Sequence, residues 1–134
     1  MTRDTERGTI LLVDDNVEVR EFVKRLLEAA GYDVATAADG EEGLRFFEEH
    51  QSSIMLLLTD VLMPKMNGFQ LADRVLEMDS QPRILFLSGD VWYGYRGLEC
   101  IAKPFHTTQL VERVSQVLNA STYSERSASS ARAL

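Results

Sequence analysis

Apolar and polar positions alternate between two periods from residue 9 to about residue 118. Short β-rich runs stand at Thr9–Val13, Asp33–Ala37, Met55–Thr59, Arg83–Leu87 and, more weakly, Cys100–Ala102. Between them apolar side chains recur at helical spacing. Val19, Phe22, Val23, Leu26, Leu27 and Ala30 follow the i, i+3, i+4, i+7 pattern of a one-sided helix, and Gly31 ends it. Leu44 with Phe47, then Leu71, Val75 and Met78, then Leu110, Val114, Val117 and Leu118 predict three more helices, the last capped by Thr107 or Thr108. Parallel strands require crossover connections, and those crossovers are right-handed. A β-α repeat of this size therefore predicts an α/β fold, a parallel sheet covered by helices on both faces. The near-continuous apolar runs Ile10–Val13, Ile54–Leu58 and Ile84–Leu87 fit strands buried on both sides. In such sheets a site lies beyond the carboxyl ends of the strands, where the strand order reverses.

A length of 134 residues fits one domain, given about 100–200 residues per domain. Residues 9–118 are expected to form it, with residues 1–8 as a flexible lead-in and the Ser/Ala/Arg-rich residues 119–134 as a flexible tail or linker. The net charge of −7 repels phosphate backbones and anionic lipid, and no basic patch reverses it. Direct nucleic-acid or membrane binding is not expected. The longest aliphatic run, Ile54 to Leu58, is far short of the roughly 20 residues that cross a bilayer, so a cytoplasmic location is expected. The single cysteine, Cys100, excludes an internal disulfide and a multi-thiolate metal site. His50 and His106 have no ligand partner at useful spacing and read as surface residues.

The chemistry gathers at one predicted edge. Asp14 and Asp15 follow the first strand and Asp60 ends the third, so three carboxylates converge. Like charges this close want a compensating cation, and hard oxygen ligands with positions left for water suit Mg²⁺ or Mn²⁺. Ser88 ends the fourth strand and Lys103 the fifth, adding a hydroxyl and an ammonium to that edge. A phosphoryl group on one carboxylate would meet the metal, Ser88 and Lys103, which spread its charge over preorganised partners.

Asp14-Asp15, the segment Thr59 to Gly68, Ser88-Gly89 and Lys103-Pro104-Phe105 together resemble the receiver domain of two-component response regulators. The resemblance spans residues 9 to about 118. It implies a flavodoxin-like five-stranded parallel sheet of order 2-1-3-4-5, and phosphoryl transfer to Asp60 from a phosphohistidine on a histidine kinase or histidine phosphotransfer protein. It further implies metal ligation by Asp14, Asp15, Asp60 and the backbone carbonyl of Leu62. Ser88 would be the hydroxyl that moves toward the phosphoryl group, and Lys103 its ion-pair partner. A cis Lys103–Pro104 bond is implied as well. Pro64 and Gly68 fit a loop that must turn sharply after Asp60.

Three departures from that family stand out. Only 14 residues lie between Ser88 and Lys103, and with a loop and a strand to supply they leave room for a helix of about two turns at most. A shortened or irregular fourth helix is expected. Cys100 stands three residues before Lys103, where relatives carry a swinging Tyr or Phe, and Trp92 or Tyr95 are the aromatics available to replace it. Leu62 and Asp90, two residues after Asp60 and Ser88, flank the path of a hydrolytic water and are expected to tune phosphoryl lifetime in opposite senses. Two other functions compete: a phosphorylation-independent binding module of the same fold, and a metal-dependent aspartyl-phosphate phosphatase. The phosphatase would need an acid where Leu62 stands.

Overall fold

The computed structural model describes residues 8–89 and 95–119. The elements run β1 (Thr9–Val13), α1 (Val17–Ala29), β2 (Asp33–Ala37), α2 (Gly40–Glu49), β3 (Ile54–Asp60), α3 (Gly68–Leu76), β4 (Arg83–Ser88) and β5 (Glu99–Ala102), with a 3₁₀ turn at Gln51–Ser53. Residues 107–119 form a closing helix, α4. All strand pairs are parallel and the order is β2-β1-β3-β4-β5, the doubly wound arrangement expected. The order reverses between β1 and β3, which places a crevice at their carboxyl ends.

Successive strand residues point to opposite faces, so each apolar run feeds two cores. Leu11, Val13, Leu57 and Phe86 face Leu44 and Phe47 of α2 and Leu71 and Val75 of α3. Ile10, Leu12, Leu56, Leu58, Leu85 and Leu87 face Val23 and Leu27 of α1 and Leu110 and Val114 of α4. This two-sided burial is the physical reason β1, β3 and β4 show no polar alternation.

Side-chain caps set the helix starts. Asn16 accepts from the Glu18 and Val19 amides at α1, Asp39 from the Glu42 amide at α2, and Asn67 forms a reciprocal box with Gln70 at α3. Several boundaries differ from the sequence reading. Helix α3 stops at Leu76, where the Glu77 amide bonds back to the Arg74 and Val75 carbonyls; Met78 lies past the end yet still packs on the core. Thr107 and Thr108 lie inside the first turn of α4 and do not cap it; His106 precedes the helix, its amide facing Gln109 Oε1 at 3.4 Å. Strands β3 and β4 each run one residue further and take in Asp60 and Ser88.

Among the described residues of the β4–β5 crossover no helix occurs. Tyr95 and Leu98 exchange backbone hydrogen bonds of 3.2 and 2.9 Å across a two-residue turn. Its central residues, Arg96 (φ 55°) and Gly97 (φ 77°), are both left-handed, as such a tight turn requires. Asp90 and Trp92 fall in 90–94 and lie outside the described residues. So do the expected flanks, apart from Gly8 and Asn119.

Candidate functional site

Each strand end delivers one group to the crevice. Asp14 leaves β1 fully buried, its amide donating to the Ala37 carbonyl at the end of β2 (3.2 Å). Its Oδ1 accepts from the Asn16 amide at 2.9 Å and its Oδ2 from Lys103 Nζ at 3.1 Å. Asp15 is exposed. Asp60, the last residue of β3, is buried and accepts from the Val61 amide at 2.9 Å, with Lys103 Nζ 3.5 Å from the same oxygen. Ser88 is fully buried at the end of β4, one residue beyond the strand neighbour of Asp60, and its carbonyl accepts from the Lys103 amide at 2.7 Å. That last bond ties the lysine's main chain to the serine strand. The Lys103–Pro104 peptide is cis.

The structure therefore brings Asp14, Asp15, Asp60, Ser88 and Lys103 to one edge of the sheet. Asp14, Asp15 and Asp60 each offer an oxygen, all within 4.8 Å of one another. The Asp60 carboxyl is pushed up from 3.8 to about 6, above all by burial. Asp14 and Asp15 add to the rise, while Lys103 and the Val61 amide oppose it. A carboxyl held high by burial and, secondarily, by neighbouring negative charge, beside an acid open to solvent, belongs to an all-oxygen donor set suited to a hard divalent cation that keeps some of its water.

The loop from Asp60 to α3 is held by close backbone contacts. The Gly68 amide donates to the Val61 carbonyl at 2.7 Å, and a Cβ on Gly68 would lie 2.2 Å from the Asp60 carbonyl oxygen. Only glycine lets the start of α3 approach the end of β3 this closely. Pro64 opens the turn, its carbonyl accepting from Met66 N–H at 2.7 Å, and Lys65 between them is left-handed (φ 71°). Leu62 is 58% exposed, so its side chain stands at the rim and not in the core.

Sequence reasoning missed the contacts of the shortened crossover. Tyr95 stacks on Phe69 of α3 (centroids 4.2 Å, 13°) and meets Phe86 of β4 edge-on, while its hydroxyl donates to Asp73 Oδ2 at 2.9 Å. Arg96 bonds the other oxygen of Asp73 at 2.8 Å. Cys100 is a half-buried thiol pushed up by burial, and it packs on the same core cluster as Tyr95. The supporting roles of Asn16 and the Val61 amide were also unread, because main-chain partners leave no residue-type signal.

The sheet order and the acid-and-lysine edge define a flavodoxin-like receiver fold. The chain matches the response regulator receiver domain over residues 10–115 and belongs to that family, a signalling module of two-component systems. Among its relatives, the response regulator receiver protein CpdR of Brucella abortus is 34% identical, the alignment covering 81% of this chain and 95% of CpdR. The transcriptional regulatory protein CpxR of Escherichia coli is 37% identical over 87% of this chain and 52% of CpxR. The chain thus spans about half the length of the CpxR relatives. Among solved structures, the receiver domain of the hybrid histidine kinase CckA superposes with a TM-score of 0.74 at 40% identity, covering 83% of this chain and 99% of that one. The Thermotoga maritima response regulator TrrA, solved with Mg²⁺–BeF, gives 0.72 at 29% identity over 82% and 98%. No helix among the described residues is long and apolar enough to cross a membrane.

Proposed function

We propose that residues 9–118 form a cytoplasmic phosphoacceptor unit, flanked by residues 1–8 and 119–134. It takes a phosphoryl group on Asp60 from a phosphohistidine of a histidine kinase or histidine phosphotransfer protein and shifts conformation to control a downstream protein. The observation that carries this reading is the convergence of Asp14, Asp15 and Asp60 within 4.8 Å, with Lys103 Nζ 3.1 and 3.5 Å from two of them. Asp14, Asp15 and Asp60, with the Leu62 carbonyl, would hold Mg²⁺ or Mn²⁺, which when bound supplies positive charge to offset the phosphoryl oxygens.

An Asp60 oxygen attacks phosphorus as the P–N bond of the donor breaks, its electron pair passing to the imidazole nitrogen, which takes up a proton. With its carboxyl at about 6, Asp60 is mostly ionised at neutral pH and serves as the nucleophile. Lys103, held by Asp14, stands ready to pair with the new negative charge, and Ser88 supplies the hydroxyl at the next strand end. Chemistry is limited to the domain's own phosphorylation and dephosphorylation.

The rim suits a protein donor. Val17, Phe22 and Leu62 are exposed large apolar residues, and Val19 and Phe22 line a groove with Pro104 and Phe105 beside Lys103. Exposed apolar residues grouped around a reactive centre mark a protein contact. The apolar Leu62 also argues against the phosphatase alternative, which needs an acid there.

Incubation with Mg²⁺ and acetyl phosphate should add one phosphoryl mass to the wild type and none to Asp60→Asn. Equal labelling of both would overturn the assignment of Asp60.

A further inference from the structure

Arg20 lies on the first turns of α1, and its Nη1 donates to the main-chain carbonyl of Asp14 at 2.7 Å. Every other polar group of Asp14 is already engaged: its amide by Ala37, Oδ1 by Asn16 and Oδ2 by Lys103. Asp15 is different. It is exposed, and its carboxylate has no hydrogen-bond partner among the described residues. The Asp15 carboxylate is therefore kept beside Asp14 and Asp60 through the peptide that joins it to Asp14, and the oxygen of that peptide is the atom Arg20 holds. Turning the peptide plane changes ψ of Asp14 and φ of Asp15 together and re-aims the Asp15 side chain.

We propose that Arg20 is a positioning residue for the cation site, fixing the Asp14–Asp15 peptide so that the Asp15 carboxylate stays aimed at Asp14 and Asp60. This role rests on the divalent-cation reading of the site given above. The helix N-terminus that Asn16 caps and the ligand-bearing turn before it become one rigid piece, because Asn16 and Arg20 bond the two together. Charge and position make opposite predictions here. A guanidinium repels a nearby divalent ion, so deleting it for charge alone would tighten cation binding. Deleting it for position would weaken binding.

The test is Mn²⁺ affinity of the whole 134-residue chain, read at 20 °C from the electron paramagnetic resonance of the free aquated ion. A purely structural role would leave this readout unmoved while the protein stays folded. Arg20→Met is expected to weaken Mn²⁺ binding by about 10-fold or more, the scale set by losing one charge-assisted hydrogen bond. Arg20→Lys, which keeps the charge and one donor, should stay nearer the wild type. Should Arg20→Met fail to fold by circular dichroism, Arg20→Gln replaces it, with the same loss expected from its shorter reach. Unchanged or tighter binding in the folded neutral variant, with normal binding by the wild type, overturns the role of Arg20 alone. Absence of Mn²⁺ binding by the wild type overturns the cation reading of the site and the role of Arg20 with it.

Discussion

Replacing Asp60 by asparagine in metal-free protein is expected to stabilise the fold at neutral pH, although it removes the proposed phosphoacceptor. Burial and the neighbouring acids raise the Asp60 carboxyl from 3.8 to about 6, so the native state disfavours its ionised form. A rise of that size corresponds to about 3 kcal/mol, and water at the partly open rim reduces the expected gain to about 1–3 kcal/mol. Asparagine keeps an oxygen for the Val61 amide, and Lys103 keeps its partner Asp14. The sign follows from the raised native value: below about pH 4 both states hold the proton and no penalty exists. Between about pH 4 and 6 the wild type loses stability relative to the variant, and above about pH 6 the difference is complete. Urea unfolding in EDTA at pH 7.5 and 3.5 measures it. Heating should show the gain as a rise in Tm of about 4 °C per kcal/mol at this size. Mg²⁺ at ten times its Kd should return about 1.4 kcal/mol to the wild type and narrow the gap. An asparagine variant that is less stable than the wild type at pH 7.5, or a difference that does not change with pH, would refute the reasoning.

Three further outcomes follow from the same geometry. Gly68→Ala places a methyl 2.2 Å from the Asp60 carbonyl oxygen; it should cost about 2–4 kcal/mol in urea unfolding and slow labelling by acetyl phosphate in whatever fraction folds. Asp73→Ala removes both partners of the Tyr95–Arg96 turn. Because Arg96 is exposed while Asp73 and Tyr95 are half-buried, global stability should fall only modestly, while hydrogen exchange at the Tyr95 and Leu98 amides should accelerate by about tenfold or more. Leu62→Asn replaces an exposed apolar side chain at the rim with one that can orient water; the aspartyl phosphate should then hydrolyse several-fold faster, and an unchanged half-life would remove Leu62 from the tuning of lifetime.

Much of the site was legible because the chemistry sits at strand ends, and strand ends are where an apolar run stops. Asp14, Asp60 and Ser88 each close such a run, and Lys103 follows the weakest one. The parallel topology then carries them to one edge. Helix ends were less legible. Thr107 and Thr108 have capping side chains but fall within α4, and the periodicity of α3 reached past its true end to Met78. In both cases residue type was read correctly and local backbone geometry decided otherwise.

By itself the sequence determined the α/β class, the two-sided core and the identity of the candidate site residues, while the five-strand order came only as what the resemblance of its motifs implied. Periodicity and residue chemistry are local properties, and they survive being written as a string. Only the tertiary structure decided that Asp14 is buried while its neighbour Asp15 is exposed, and that Lys103 lies between Asp14 and Asp60. It alone decided that Tyr95 folds back onto Phe69 and Asp73, and that Arg20 reaches the Asp14 carbonyl. These are contacts made through burial and main-chain atoms, which depend on where the chain returns in space and leave no trace in residue order.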